Sequence, residues 1–178
     1  WSSAGTGMFD DPGMLNAMYT PSAEDIEAGS VILTLTTFGN GTCEDVSDPI
    51  TLTIWKQALA FAGNDAEICE GGTYALAEAS AANYTTILWS SAGDGSFNDP
   101  DILNPVYTPG ESDINAGSVT LTLTATGLGV CADTVSSMTL TITRAVTVDA
   151  GSDTEICTSE GYYTLQGNAA NYSTILWS

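Results

Sequence analysis

The chain has no histidine and only two basic residues, Lys56 and Arg144, against 22 aspartates and glutamates. Without histidine there is no Ser-His-Asp or Cys-His catalytic apparatus and no imidazole-ligated metal site. A formal net charge of −20 leaves almost nothing to meet phosphates. Nucleic acid is therefore excluded as a partner, and an anionic membrane surface with it. No apolar run approaches the roughly 18–20 residues of a membrane-spanning helix, and no basic-then-apolar leader is visible, so membrane insertion is not expected. Charged residues are scarce altogether, at 13%, where a soluble domain carries about a quarter. The reading is of a chain that is not an enzyme and takes no organic cofactor.

What the chain does have is repetition. Trp1-Ser2-Ser3-Ala4-Gly5 returns as Trp89-Ser90-Ser91-Ala92-Gly93, and Trp177-Ser178 begins it again, at a spacing of 88 residues both times. Aligned at that offset, about half of the positions in the first 88 residues match the second 88. The matches come in blocks, such as Tyr19-Thr20-Pro21 with Tyr107-Thr108-Pro109 and Thr51-Leu52-Thr53-Ile54 with Thr139-Leu140-Thr141-Ile142. Fixed-period self-similarity is the signature of a tandem array. Lys56 and Arg144 are also 88 apart; each follows an alternating strand and precedes Ala-Gly-x-Asp (Ala62 to Asp65, Ala150 to Asp153). The junctions are therefore placed near 56 and 144. Residues 1–56 are the C-terminal part of one repeat, 57–144 a complete one and 145–178 the N-terminal part of the next. The chain reads as a window onto a longer protein.

Inside a repeat the dominant period is two. Val119-Thr120-Leu121-Thr122-Leu123-Thr124 and Met138-Thr139-Leu140-Thr141-Ile142 alternate apolar and hydroxyl residues, so each should bury one face. Thr85 to Trp89 reads as a more buried, central strand. Gly71-Gly72, Gly93-Asp94-Gly95, Asn104-Pro105 and Gly127-Leu128-Gly129 punctuate the run. One short helical turn is expected over Pro109 to Gly117, with its counterpart over Pro21 to Gly29, each with glycine where a left-handed terminus is wanted. Six or seven short strands around a buried Trp89 give the fold class: all-β, tandem immunoglobulin-like antiparallel sandwiches. Trp89, Phe97 and Tyr107 recur as Trp1, Phe9 and Tyr19 and are read as core.

Ala62 to Cys69, Trp89 to Phe97, Tyr107 to Pro109, Asp113 to Thr124 and Cys131 together resemble the PKD-like, immunoglobulin-like repeats of giant secreted surface proteins of the Bacteroidota, gliding-motility adhesins among them. The resemblance spans essentially the whole chain. It implies type IX export, an extracellular place on the bacterial surface, and service as stalk or fibre. It also marks Asp133-Thr134-Val135 as resembling that group's O-glycosylation motif, making Thr134 a candidate. Asn40, Asn83 and Asn171 open N-x-Ser/Thr patterns, which arise easily in a threonine-rich chain.

Cys43 and Cys131 are equivalent positions, as are Cys69 and Cys157. A Cys69–Cys131 bond would staple one domain and leave Cys43 and Cys157 for partners outside the chain. Cys43–Cys69 with Cys131–Cys157 would instead bridge the junctions, and four free thiols are the third alternative. The first is favoured. Any disulfide points to an oxidising compartment.

The acids are the remaining constellation. Asp94 and Asp99 flank a glycine turn, and Asp65 and Glu67 lie near a junction; these four are the candidate calcium ligands, since Ca²⁺ takes six to eight oxygens. Asp94 is replaced by Thr6 in the earlier copy, no EF-hand spacing is present, and solvated turn carboxylates are the plainer reading. A glycosidase carboxylate pair has no aromatic cleft to accompany it. Trp55 does not recur and lies at a junction with Lys56, where it should pack on the neighbouring domain. The functional expectation is a structural segment of a long extracellular fibre or adhesin stalk, its partners the neighbouring repeats of the same polypeptide, with homotypic filament assembly open. The alternative is a set of glycan- or protein-binding modules.

Overall fold

The computed structural model describes residues 1–176. Strand makes up 41% of the chain and helix 7%, in several sheets, so the protein is all-β. It divides into two compact units. One comprises Trp1–Ala60 with 81–86 and 125–134; the other comprises Phe61–Ser80, Ile87–Thr124 and Val135–Ser178.

In the first unit, Ser2–Ser3, Ser30–Thr37 and Val46–Thr53 form a three-stranded antiparallel sheet in that order. The long pair runs in register from Ser30 opposite Thr53 to Thr37 opposite Val46. Alternation along Ser30–Thr37 buries Val31 and Leu33. Met8–Phe9 pairs with Tyr19–Thr20 beside it.

A four-stranded sheet has the order Tyr84–Ser91, Ser118–Gly127, Thr134–Thr143, Ala66–Cys69. The period-two pattern acts as expected: Val119, Leu121, Leu123 and Ala125 are buried from one strand, and Met138, Leu140 and Ile142 from its neighbour. A second, three-stranded sheet orders Ser96–Phe97, Val106–Thr108 and Tyr74–Ala75. Two expectations are corrected. Tyr84–Ser91 is an edge strand, not a central one; it buries Ile87 and Trp89 but leaves Leu88 half exposed. The pairing is also not antiparallel throughout. Ala66–Cys69 runs parallel to the last strand, from Ala66 opposite Leu140 to Cys69 opposite Thr143. A parallel pair needs a long crossover, and the body of the repeat between residues 69 and 134 supplies it.

The short helices lie where expected, at Ala23–Ala28 (α1) and Glu111–Ala116 (α2). Gly29 at φ 75° and Gly117 at φ 77° close them in the left-handed conformation that an L side chain resists.

Candidate functional site

Each helix carries one buried carboxylate, Asp25 in α1 and Asp113 in α2. Asp113 is 2% exposed and saturated with donors. It accepts from the N–H of Asp94 (3.3 Å), Gly95 (3.1 Å) and Gly110 (3.0 Å), and from the Tyr107 hydroxyl (2.6 Å). Tyr107 in turn bonds Ser91 at 2.7 Å, and Ser91 accepts from the N–H of Gly93 at 3.0 Å. Asp25 repeats the set with Thr6, Gly7, Ser22 and Tyr19, and Tyr19 reaches Ser3 at 2.8 Å. The glycines of Gly-x-Gly are explained by this approach. A Cβ on Gly93 would come within 1.5 Å of Asp113 Oδ1, and one on Gly5 within 1.9 Å of Asp25 Oδ1.

The electrostatics follow from the donors. The Tyr19 hydroxyl foremost, then the Ser22 N–H, lowers Asp25 to about 2. Burial foremost, then the bond to Asp113, pushes Tyr107 up to about 12. A carboxylate so engaged is a clamp: it fastens the Gly-x-Gly loop to the helix start and to the aromatic stack beneath. That stack runs Trp89–Phe97 at 5.8 Å and Phe97–Tyr107 at 4.9 Å, and recurs from Trp1 through Phe9 to Tyr19.

The junction residues are equally engaged. In the first unit, the Trp55 indole lies over Gly129, where a Cβ would stand 2.2 Å from Nε1. Gln57 Nε2 donates to the Ala132 carbonyl at 3.2 Å, and Asn83 donates to the Gln57 carbonyl at 3.1 Å. In the second unit, Asn171 donates likewise to Ala145 at 2.9 Å. Asn83 and Asn171 are equivalent positions and the two non-glycine residues with positive φ among those described, at 56° and 57°. Their amides are thus committed to holding the linker carbonyl. Lys56 pairs with Glu27 of α1 and Arg144 bonds Asn115 of α2, again equivalent positions. The Thr134 hydroxyl donates to the Ala58 carbonyl at 2.7 Å.

The candidate calcium ligands do not converge. Asp65 accepts from the Thr139 N–H at 2.7 Å and Glu67 from the Thr143 hydroxyl. Asp94 caps α2 through the Ser112 N–H, which lowers its pKa, and Asp99 accepts from the Asp101 N–H at 3.0 Å. Among the described residues no three acidic or sulfur groups stand together as a metal site. Asp65 and Glu67 are tied to the last strand, Asp94 to the start of α2, and Asp99 to its own turn.

The structure does not bring Cys69 and Cys131 into a bond, and all four cysteines are free. Cys69 stands opposite Thr143, the last residue of Thr134–Thr143, whereas Cys131 precedes its first. At roughly 3.3 Å per residue that strand spans about 30 Å, while a disulfide needs Cα atoms within about 7 Å. The junction-bridging pairs, Cys43–Cys69 and Cys131–Cys157, are not formed either.

The residue that the sequence reading passed over is Asp113. It was visible as the acid that recurs, as Asp25, with Gly-x-Gly and Tyr-Thr-Pro, whereas Asp94 does not recur. No family model matches the chain, and no curated protein matches it.

Proposed function

We propose that the chain is a segment of a tandem array of immunoglobulin-like, PKD-like sandwiches forming a non-catalytic stalk or fibre on a bacterial surface. Supporting the sandwich is the sheet order, with Ala66–Cys69 parallel to Thr134–Thr143 at one edge and a second, three-stranded sheet in the same repeat. The observation that carries the role is the recurrence, at a spacing of 88 residues, of a buried clamp and a tied linker. Residues that recur this way serve to hold each copy and its junction in one geometry. A binding module would repeat its framework and diversify a receptive surface. The cleft that recurs beside each clamp is lined by small, hydroxyl and aliphatic residues around the clamp aspartate, with no aromatic for a sugar to stack on.

Antibodies raised against residues 57–144 test the reading. Labelling of intact cells, with a reduced, denatured polypeptide many times 18.4 kDa, is expected. Labelling only after permeabilisation would overturn it.

A further inference from the structure

The cysteines supply a relationship between repeats that neither of the expected pairings contains. In the second unit Cys69 stands in parallel register with Thr143, and the next residue, Glu70, donates its N–H to the Thr143 carbonyl at 2.8 Å. That carbonyl marks the edge along which the strand of the early cysteine runs. The counterpart of Thr143 one repeat earlier is Trp55. In the first unit, the Cys131 thiol lies 3.6 Å from the Trp55 carbonyl. The late cysteine of one repeat thus reaches the carbonyl beside which the early cysteine of the preceding repeat is seated. Paired strands lie about 4.8 Å apart, within the reach of a disulfide, whose Cα atoms stand about 4.4–6.8 Å apart.

We propose that successive repeats are joined by a disulfide from the early cysteine of one (the Cys69 and Cys157 positions) to the late cysteine of the next (the Cys43 and Cys131 positions). Residues 1–56 hold no counterpart of Ala66–Cys69, and residues 145–178 none of Cys131, so no such pair falls within the chain. Four free thiols accord with that. The proposal rests on the tandem-array half of the functional reading and is independent of the surface location.

A second copy can supply the missing halves. Its Thr154-Glu155-Ile156-Cys157 repeats the pattern of Ala66–Cys69, is exposed and lies outside any strand. On the other copy, Leu52 to Trp55 corresponds to the stretch that Ala66–Cys69 pairs with, and it begins in the last two residues of the edge strand Val46–Thr53. Seated there in the same parallel register, Cys157 of one copy meets Cys131 of the other, and Cys69 meets Cys43. The contact is head-to-tail and does not close, so it extends into open chains. Each bond forms by exchange with a low-molecular-weight disulfide. One protein thiolate attacks and one small thiol leaves; the second protein thiolate then displaces the other. The two departing thiols take up the two protons, and the small disulfide is reduced.

The test is to mix two isotopically distinct preparations of the 178-residue chain with oxidised glutathione. The expected result is a reductant-sensitive ladder on a non-reducing gel, with Cys157–Cys131 and Cys69–Cys43 peptides joining the two labels. The double variant Cys69→Ser/Cys157→Ser should lose the ladder. A synthetic peptide of residues 150–160 should be captured by disulfide at Cys131 and not at Cys43. A Cys69–Cys131 bond within one chain, like-to-like bonds, or a monomer bearing only glutathione adducts would overturn the proposal. Cell-surface labelling bears on location alone, so the two failures are distinguishable.

Discussion

The Asp94 carboxylate occupies the space that a side chain on Gly110 would take: a Cβ there would stand 2.1 Å from Asp94 Oδ1. In the other repeat the same two positions are Thr6 and Ser22, whose hydroxyls bond at 2.6 Å, and Ser22 caps α1 through the Asp25 N–H at 3.1 Å. Asp94 does this capping from the opposite side, through the N–H of Ser112 and Asp113. The two repeats reach one helix start by exchanged partners. Asp94→Thr and Gly110→Ser should each cost about 1 kcal/mol, the first by losing the cap and the second by collision. The double variant should recover most of that loss, which a double-mutant cycle from urea unfolding would read as coupling.

Asp113→Asn puts an amide, with hydrogens of its own, where four donors converge, and should cost about 2–4 kcal/mol at neutral pH. For Asp25 the prediction is one of pH. An unfolded aspartate titrates near 3.9 and the folded Asp25 near 2. The contribution of Asp25 is therefore whole above about pH 4 and is lost as pH falls through about 2. Thermal melts between those values should show a shallower dependence for Asp25→Asn than for the parent chain.

Tyr107 gives the opposite limb. Its folded pKa of about 12 lies above the ordinary tyrosine value of about 10. Its contribution is therefore full below about pH 10 and is lost as pH rises through about 12. Ultraviolet titration should show a late-ionising tyrosine that Tyr107→Phe removes.

Trypsin has two sites in this sequence, Lys56 and Arg144, and both are at junctions. Denatured chain should give residues 1–56, 57–144 and 145–178. On native chain, Trp55→Ala should speed cleavage at Lys56, because it removes the indole from Gly129, and leave Arg144 unchanged. Mass spectrometry of a digestion time course reads both sites at once.

Much of the fold was legible because its signals are local and recur. The alternating threonine strands, the glycine-closed helical turns and the Trp-Phe-Tyr stack each follow from short-range pattern. What escaped was long-range. Nothing in Ala66-Glu67-Ile68-Cys69 announces a parallel partner at Leu140 to Thr143, and without that register sequence spacing alone does not place the two cysteines at opposite ends of the last strand. Asp113 escaped for another reason. A carboxylate is ordinarily read as solvated, and its burial is decided by donors on three separated segments, at Asp94–Gly95, Tyr107 and Gly110. Of the acids in the glycine-rich loop, Asp99 forms a local turn that any exposed loop can make, and Asp94 caps a helix 18 residues away.

The direction of Ala66–Cys69 has a mechanical meaning. The polypeptide enters residues 57–144 through the short strand Leu59–Phe61, reaches Ala66–Cys69 and leaves directly after Thr134–Thr143, and these last two run the same way side by side. Tension on the two ends pulls these strands lengthwise past each other. The hydrogen bonds between them are then loaded in shear and give way together, where an antiparallel terminal pair would unzip one bond at a time.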